Sequence, residues 1–241
     1  IQALGSDRLS LLQECKTILD GLGGGLGDRV LQAIADCAPA HLPKRMRLFR
    51  DRYAHHLLLK VSRGDFEPVL ALLTTSLSAE AGYFECTERE SKQAFLHRFV
   101  MAGAAIRYRA LFAKDVAGLV ALDFALPRND ADWAEQLPQA LEAQVAGKLY
   151  YGHFFCHVFH HDYIVRQGSD AVAFENAIHA RLDARSAEYP AEHNVGRLYH
   201  AKPPLARHYR NLDPCNCFNP GIGKLPEGRA WRVSNLESAL P

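Results

Sequence analysis

The stretch from Tyr150 to Val165 constrains the fold most. Aromatic and β-branched side chains crowd it: Tyr150, Tyr151, Phe154, Phe155, Val158, Phe159, Tyr163, Ile164 and Val165. Such residues suit a pleated, half-buried sheet better than a helix. The pattern predicts strand here, a second strand over Leu119–Leu126, and a helix over 169–186 carried by Val172, Phe174, Ile178 and Leu182. A sheet with a helix laid on it follows.

The remaining segments fill in an α+β chain. Residues 1–38 read as two helices separated by the Gly-rich run Gly21–Gly27. That run has no preceding strand and no Lys-Ser/Thr ending, so it reads as a loop and not a phosphate cradle. His55–Val61 and Gly82–Cys86 read as strands flanking a helix over 66–78, a strand–helix–strand unit. Residues 88–101 read as helix, and Ala104–Phe112 as a strand by its alternation of Ile106, Tyr108, Ala110 and Phe112. Residues 130–146 read as helix, and one more fits near 203–211. An antiparallel or mixed sheet is expected in preference to a doubly wound one.

Charge and cysteine usage exclude several function classes. Lys and Arg total 28 against 27 Asp and Glu, a net charge of +1, so no global field favours nucleic acid. Six cysteines, at 15, 37, 86, 156, 215 and 217, include no Cys-x-x-Cys pair and read as reduced thiols of a cytoplasmic protein. No apolar run reaches the ~20 residues of a spanning helix.

The neutral total hides a local basic run. Lys44, Arg45, Arg47, Arg50 and Arg52 fall within nine residues, with Phe49 and Tyr53 interleaved and Asp51 the one acid. Clustered cations favour an anionic lipid surface and aromatic rings favour the headgroup level. A solvated helix face is the alternative reading.

Three constellations could carry chemistry. Four of the 12 histidines (His153, His157, His160, His161) fall in one nine-residue stretch, and imidazole is both a metal ligand and a general base near neutral pH. On a helix His153, His157 and His160 share a face. On a strand His153, His157 and His161 do, with His160 opposed, and the composition favours strand. Histidines merely packed beside aromatic neighbours are the plainer account. The second constellation is Glu192-His193 between Tyr189-Pro190 and Gly196, where a carboxylate could ligate a metal while the adjacent imidazole takes a proton. The third is the turn-rich tail from Asp213-Pro214 to Gly223-Lys224, whose exposed N–H groups could approach a planar ligand or an anion. Cys215 and Cys217 there read as small turn residues.

Four stretches carry a family resemblance: His41–Lys60, Ala94–Tyr108, Lys148–Val165 and Tyr189–Lys224, including His160-His161-Asp162-Tyr163 and Asn219-Pro220-Gly221-Ile222-Gly223-Lys224. Together, in this order, they resemble the membrane-associated, quinone-dependent D-lactate dehydrogenases of bacteria, FAD enzymes of the vanillyl-alcohol-oxidase type. The resemblance implies a layout. Residues 1–51 and 90–113 would form an electropositive membrane-binding part, 52–89 and 114–183 a cap, and 184–241 the end of an FAD-binding domain. The chain begins at Ile1 without an initiator Met, and the N-terminal FAD half is expected to be absent from it.

The wider group of FAD-linked 2-hydroxy acid dehydrogenases has a Gly-His-x-Gly-Asp-Gly-Asn-x-His segment that supplies two metal ligands. Its Gly-Glu-His-Gly segment supplies a carboxylate ligand and a histidine base. Gly152-His153 and His160 match the first by spacing, and Glu192-His193 match the second. Phe155-Cys156-His157-Val158 replaces the glycine-containing centre, and an unbroken strand there would separate His153 from His160. Asn194 replaces the final glycine.

The resemblance thus implies His153, His160 and Glu192 as ligands of zinc, manganese or iron, and His193 as base. It implies Arg98, Arg107 or Arg197 for the substrate carboxylate and Asn219 and Gly221 at FAD. The basic run would dock the enzyme peripherally on anionic lipid at the cytoplasmic face of the bacterial inner membrane. The implied reaction is oxidation of D-lactate to pyruvate with electrons passing to membrane quinone. A different 2-hydroxy acid, or a non-catalytic cap and membrane-binding module, are the alternatives.

Overall fold

The computed structural model describes residues 14, 16–21, 23, 25–37, 40–133, 135–192 and 199–231. The chain divides into two compact units, Ile1–Leu111 and Phe112–Pro241.

The first unit is helical. Helix α1 (Leu26–Cys37) packs on the long α4 (Glu88–Leu111). The approach is close, since a Cβ on Gly25 would lie 3.1 Å from the Ala110 carbonyl, and Arg107 Nε donates to Gln32 Oε1 at 2.9 Å. In the sequence between them come α2 (Lys44–Arg52) and α3 (Phe66–Ser76). α2 buries Met46 and sets Phe49 edge-on against Phe84 at 4.6 Å. A capping box opens α4. Thr87 Oγ1 accepts the Glu90 N–H at 3.3 Å, and the Glu90 carboxylate accepts the Thr87 N–H at 2.9 Å. Among the described residues no helix is long and apolar enough to cross a membrane.

Three expected strands are absent from this unit. Ala104–Phe112 instead continues α4 to Leu111. Ala102, Ala104, Ala105, Arg107, Arg109 and Ala110 are helix formers. Apolar side chains lie all around α4, so no helical stripe betrays it: Ala94 and Ala105, three turns apart, are buried, while Phe99 and Ile106 are exposed. His55–Val61 and Gly82–Cys86 form no strand among the described residues. Residues 82–86 are held by side chains of and just after α2, through the Phe49–Phe84 contact and Tyr53, whose ring would strike a Cβ on Gly82.

The second unit meets the α+β expectation. Strands β1 (Val116–Ala125), β2 (Val145–His153) and β3 (Val158–Arg166) form an antiparallel sheet in the order β1-β3-β2. The run from Tyr150 to Val165 is therefore two strands and a turn. Helix α5 (Ala171–Ala184), capped by Asp170 through the N–H groups of Val172 and Ala173, covers one face. Phe174, Ile178 and Leu182 recur every four residues and pack on Val120, Leu122, Phe124, Tyr163 and Val165. Truncating Phe174 to Ala would cost about 3–5 kcal/mol. A short helix, α6 (Pro203–Leu212), starts with its prolines in the first turn.

The helix expected over 130–146 shrinks to the single turn Gln139–Glu142. Pro138 precludes a longer one upstream, since its ring would break the preceding hydrogen bonds, and β2 begins at Val145. The acids of this segment serve α5 instead. Glu135 pairs with Arg181 at 2.7 Å and Arg185 at 3.2 Å, and Asp130 pairs with Arg185 at 3.1 Å.

Candidate metal centre

The sheet face away from α5 carries the candidate site. In the β1–β3–β2 register Asp123, His160 and Tyr151 sit side by side. His153 lies two residues along β2 from Tyr151, so it projects on the same face, diagonal to His160. The chain reverses between them. A 3₁₀ turn over Phe154–Cys156 is closed by His157, which adopts the left-handed conformation at φ 57° and ψ 33°. Histidine tolerates that region better than most residues, and Leu126 helps hold it: His157 Nδ1 lies 3.3 Å from the Leu126 carbonyl, and the Leu126 N–H donates to the His157 carbonyl at 3.3 Å. Hence the turn needs no glycine. The glycine it does need is Gly152, where a Cβ would stand 2.4 Å from the Val158 carbonyl.

The strand rule applied to an unbroken segment is thus overturned. His161, one residue along β3, points to the opposite face, buried under Tyr150 with ring centroids 4.0 Å apart. Its Nδ1 is 3.1 Å from the Tyr163 hydroxyl. Burial pushes its pKa down to about 3, with Arg185 and then His160 adding to the shift, so it is a neutral core residue.

The third member arrives from further along the chain. Ala125 and Glu188 exchange both backbone hydrogen bonds, 2.8 and 2.9 Å long. The Ala191 N–H then donates to the Asp123 carbonyl at 3.1 Å, and the Glu192 N–H donates to Asp123 Oδ2. Glu192 Oε2 comes to 3.6 Å from His153 Nε2 and 3.6 Å from His160 Nε2. The two imidazoles are edge-on, 5.4 Å between centroids. One ligand atom from each of the three residues lies within 4.8 Å of the others.

The surroundings fix one side and leave the other open. His160 is buried and stacks on Tyr151 at 5.2 Å. The Tyr151 hydroxyl donates to Asp162 Oδ2 at 3.3 Å, and burial raises the pKa of both groups, Tyr151 to about 12. The His153 side chain is 42% exposed. Two imidazoles and a carboxylate, gathered this closely with an open side, are a donor set that zinc, manganese or iron accepts.

The other expected site residues are distributed as follows. His193 and Arg197 lie outside the described residues. Arg98 and Arg107 are on α4 in the first unit, Arg98 over the Phe99 ring at 5.2 Å and Arg107 on Gln32. Asn219 and Gly221 form a tight turn with φ of 50° and 82°, and Phe218 beside them is exposed. The basic run is α2. Arg45 there is engaged: its guanidinium forms two bonds to Glu90, at 2.9 and 2.5 Å, another to the Glu85 carbonyl at 3.0 Å, and it covers Phe84. Arg50 pairs with Asp51 at 2.7 Å and Arg52 lies over Tyr53 at 5.2 Å. Lys44 and Arg47 are exposed.

Two residues of the site escape sequence reasoning. Tyr151 blends into its aromatic neighbourhood. Asp123 carries a signal, a lone acid inside the apolar strand Leu119-Val120-Ala121-Leu122-Asp123-Phe124.

Comparison with known proteins places the chain in a family. A family model described as "D-lactate dehydrogenase, membrane binding" matches residues 1–231. The chain is 44% identical over 240 residues to the quinone-dependent D-lactate dehydrogenase of Haemophilus influenzae, covering 96% of this chain and 43% of that protein. It is 48% identical over 206 residues to the quinone-dependent D-lactate dehydrogenase of Escherichia coli K12, covering 85% and 36% respectively. A relative of the same description from Corynebacterium glutamicum is 43% identical over 216 residues, covering 88% and 38%. The chain therefore spans about two fifths of the length of the curated relatives it matches.

Proposed function

Since the chain belongs to the D-lactate dehydrogenase membrane-binding family, we propose that it is the C-terminal part of an FAD-dependent enzyme that oxidises D-lactate to pyruvate and passes electrons to membrane quinone. The observation that carries the catalytic reading is the convergence of His153, His160 and Glu192 on one sheet face.

These three residues are assigned to a divalent metal, and Asn219 and Gly221 to FAD. The Asn219–Gly221 turn, with positive φ at both residues, lies beside the exposed Phe218 ring, an arrangement that suits a planar cofactor. When bound, FAD supplies the hydride acceptor and the ion supplies Lewis acidity toward the substrate's hydroxyl and carboxylate oxygens. The chain's own residues orient and deprotonate the substrate. His193 takes the hydroxyl proton, a task suited to imidazole near neutral pH. Its neighbour Glu192 faces the ligand histidines. One of Arg98, Arg107 and Arg197 holds the substrate carboxylate.

The layout assigned is membrane-binding residues 1–51 and 90–113, cap residues 52–89 and 114–183, and FAD-domain residues 184–241. The family description and the lack of a spanning helix among the described residues fit peripheral membrane association. Lys44, Arg45, Arg47, Arg50 and Arg52 of α2 are assigned to anionic lipid at the cytoplasmic face of the inner membrane.

The test is a flavin and metal analysis of the full-length enzyme, with His160→Ala, Glu192→Gln and His193→Ala compared for D-lactate–quinone turnover. The ligand variants are expected to lose metal and activity together, and His193→Ala to lower turnover by about 10²–10⁴. Normal metal content and turnover in the ligand variants would overturn the metal reading. Colourless full-length protein without turnover would favour a binding module.

A further inference from the structure

We infer that Asp123 is a positioning residue for the candidate centre: it seats Glu192 opposite His160 by gripping the backbone of the incoming segment. This rests on the metal reading proposed above and goes beyond it, because it assigns assembly of the site to β1.

The argument starts from cost. β1 is otherwise apolar, and Asp123 is only 5% exposed within it. A carboxylate in such a place is unfavourable unless its oxygens are hydrogen-bonded, and a Leu or Val would serve the strand better. The bonds that Asp123 makes are specific in their targets. Its Oδ2 accepts the Glu192 N–H and its backbone carbonyl accepts the Ala191 N–H. Two residues along, Ala125 exchanges two backbone bonds with Glu188. Residues 188–192 are thereby laid along β1.

The register completes the case. Asp123 is the direct cross-strand neighbour of His160. Whatever Asp123 holds is therefore held beside that imidazole, and Glu192 Oε2 does come to 3.6 Å from its Nε2. Outer residues of this kind typically alter metal affinity by about 10–100-fold when replaced.

The experiment is titration of the full chain with Mn²⁺ alone, read as affinity, with thermal unfolding of each protein before metal is added. Asp123→Asn keeps an oxygen acceptor for the Glu192 N–H. Asp123→Leu has nearly the same shape, lacks the acceptor and suits an apolar strand. The wild type and Asp123→Asn are expected to bind alike, and Asp123→Leu to bind about 10–100-fold more weakly with a metal-free melting temperature no lower than that of Asp123→Asn. In a Glu192→Ala background Asp123→Leu should cause no further loss, since the residue acts through Glu192. Unchanged affinity in Asp123→Leu, or an equal loss with Glu192 absent, overturns the inference and leaves the metal reading standing. A wild-type chain that binds no Mn²⁺ overturns both.

Discussion

His160 and His161 are neighbours in sequence and opposites in environment. One turns to the polar face of the sheet beside Glu192, and the other is buried under Tyr150 against Tyr163. Replacing His161 with Ala should cost about 2–5 kcal/mol of stability, the range for truncating a large buried side chain, while Mn²⁺ binding persists. His160→Ala should lose Mn²⁺ binding, because it removes a ligand. Denaturant titration alongside metal titration separates the two.

His161 also sets a pH dependence. Its folded pKa is depressed to about 3 by burial, from an ordinary value of 6.5. The unfolded chain therefore takes up this proton first. Stability contributed by neutral His161 is complete above about pH 6.5 and is lost as pH falls toward 3. His161→Phe should flatten that limb of the unfolding free energy measured between pH 7 and 4, and an unaltered slope would refute it.

Glu90 contributes to the acid limb of the first unit. The Arg45 guanidinium, aided by Thr87, holds its pKa down at about 2 from 4.5. This contribution is present above about pH 4.5 and disappears as pH drops toward 2. Glu90→Gln should remove it, as followed by helical circular dichroism across that range. Arg45→Gln should act on stability in the same sense, because Arg45 is committed to Glu90, Glu85 and Phe84.

The exposed cations of α2 should behave differently. Replacing Lys44, Arg47, Arg50 and Arg52 together with Gln should weaken binding to anionic vesicles by about fivefold per charge, since each cation near such a surface contributes about 1 kcal/mol. Raising the salt to 1 M should imitate the effect, because screening then acts within about 3 Å. Sedimentation with vesicles gives the readout, and undiminished binding of the quadruple variant would remove α2 as the docking element.

Gly152→Ala should cost about 1–3 kcal/mol, as overpacking does, because its Cβ meets a backbone carbonyl and not a side chain that can move. Metal affinity should fall with it, since His153 is the next residue. Retention of both would show that the hairpin relaxes around the added methyl.

The sheet and α5 were legible because their residues alternate or recur with a clean period. Phe174, Ile178 and Leu182 announce a helix face, and Val120, Leu122 and Phe124 announce its sheet. Ala104–Phe112 reads as strand because polar and apolar side chains are mixed around all of α4, so no helical stripe offsets its short alternation. At the site, the spacing of His153, His160 and Glu192 was legible through resemblance, but their convergence was not. It depends on a reversal made by His157 in a left-handed conformation, which no glycine marks, and on Asp123, whose partners lie far along the chain.

The diagonal pairing of His153 with His160 has one further consequence. Side chains alternate between faces with period two, so sliding β2 by a single residue against β3 would turn His153 inward and present Gly152 or Phe154 in its place. Tyr151 would leave His160 in the same movement. The meeting of His153, His160 and Glu192 is thus a readout of strand alignment.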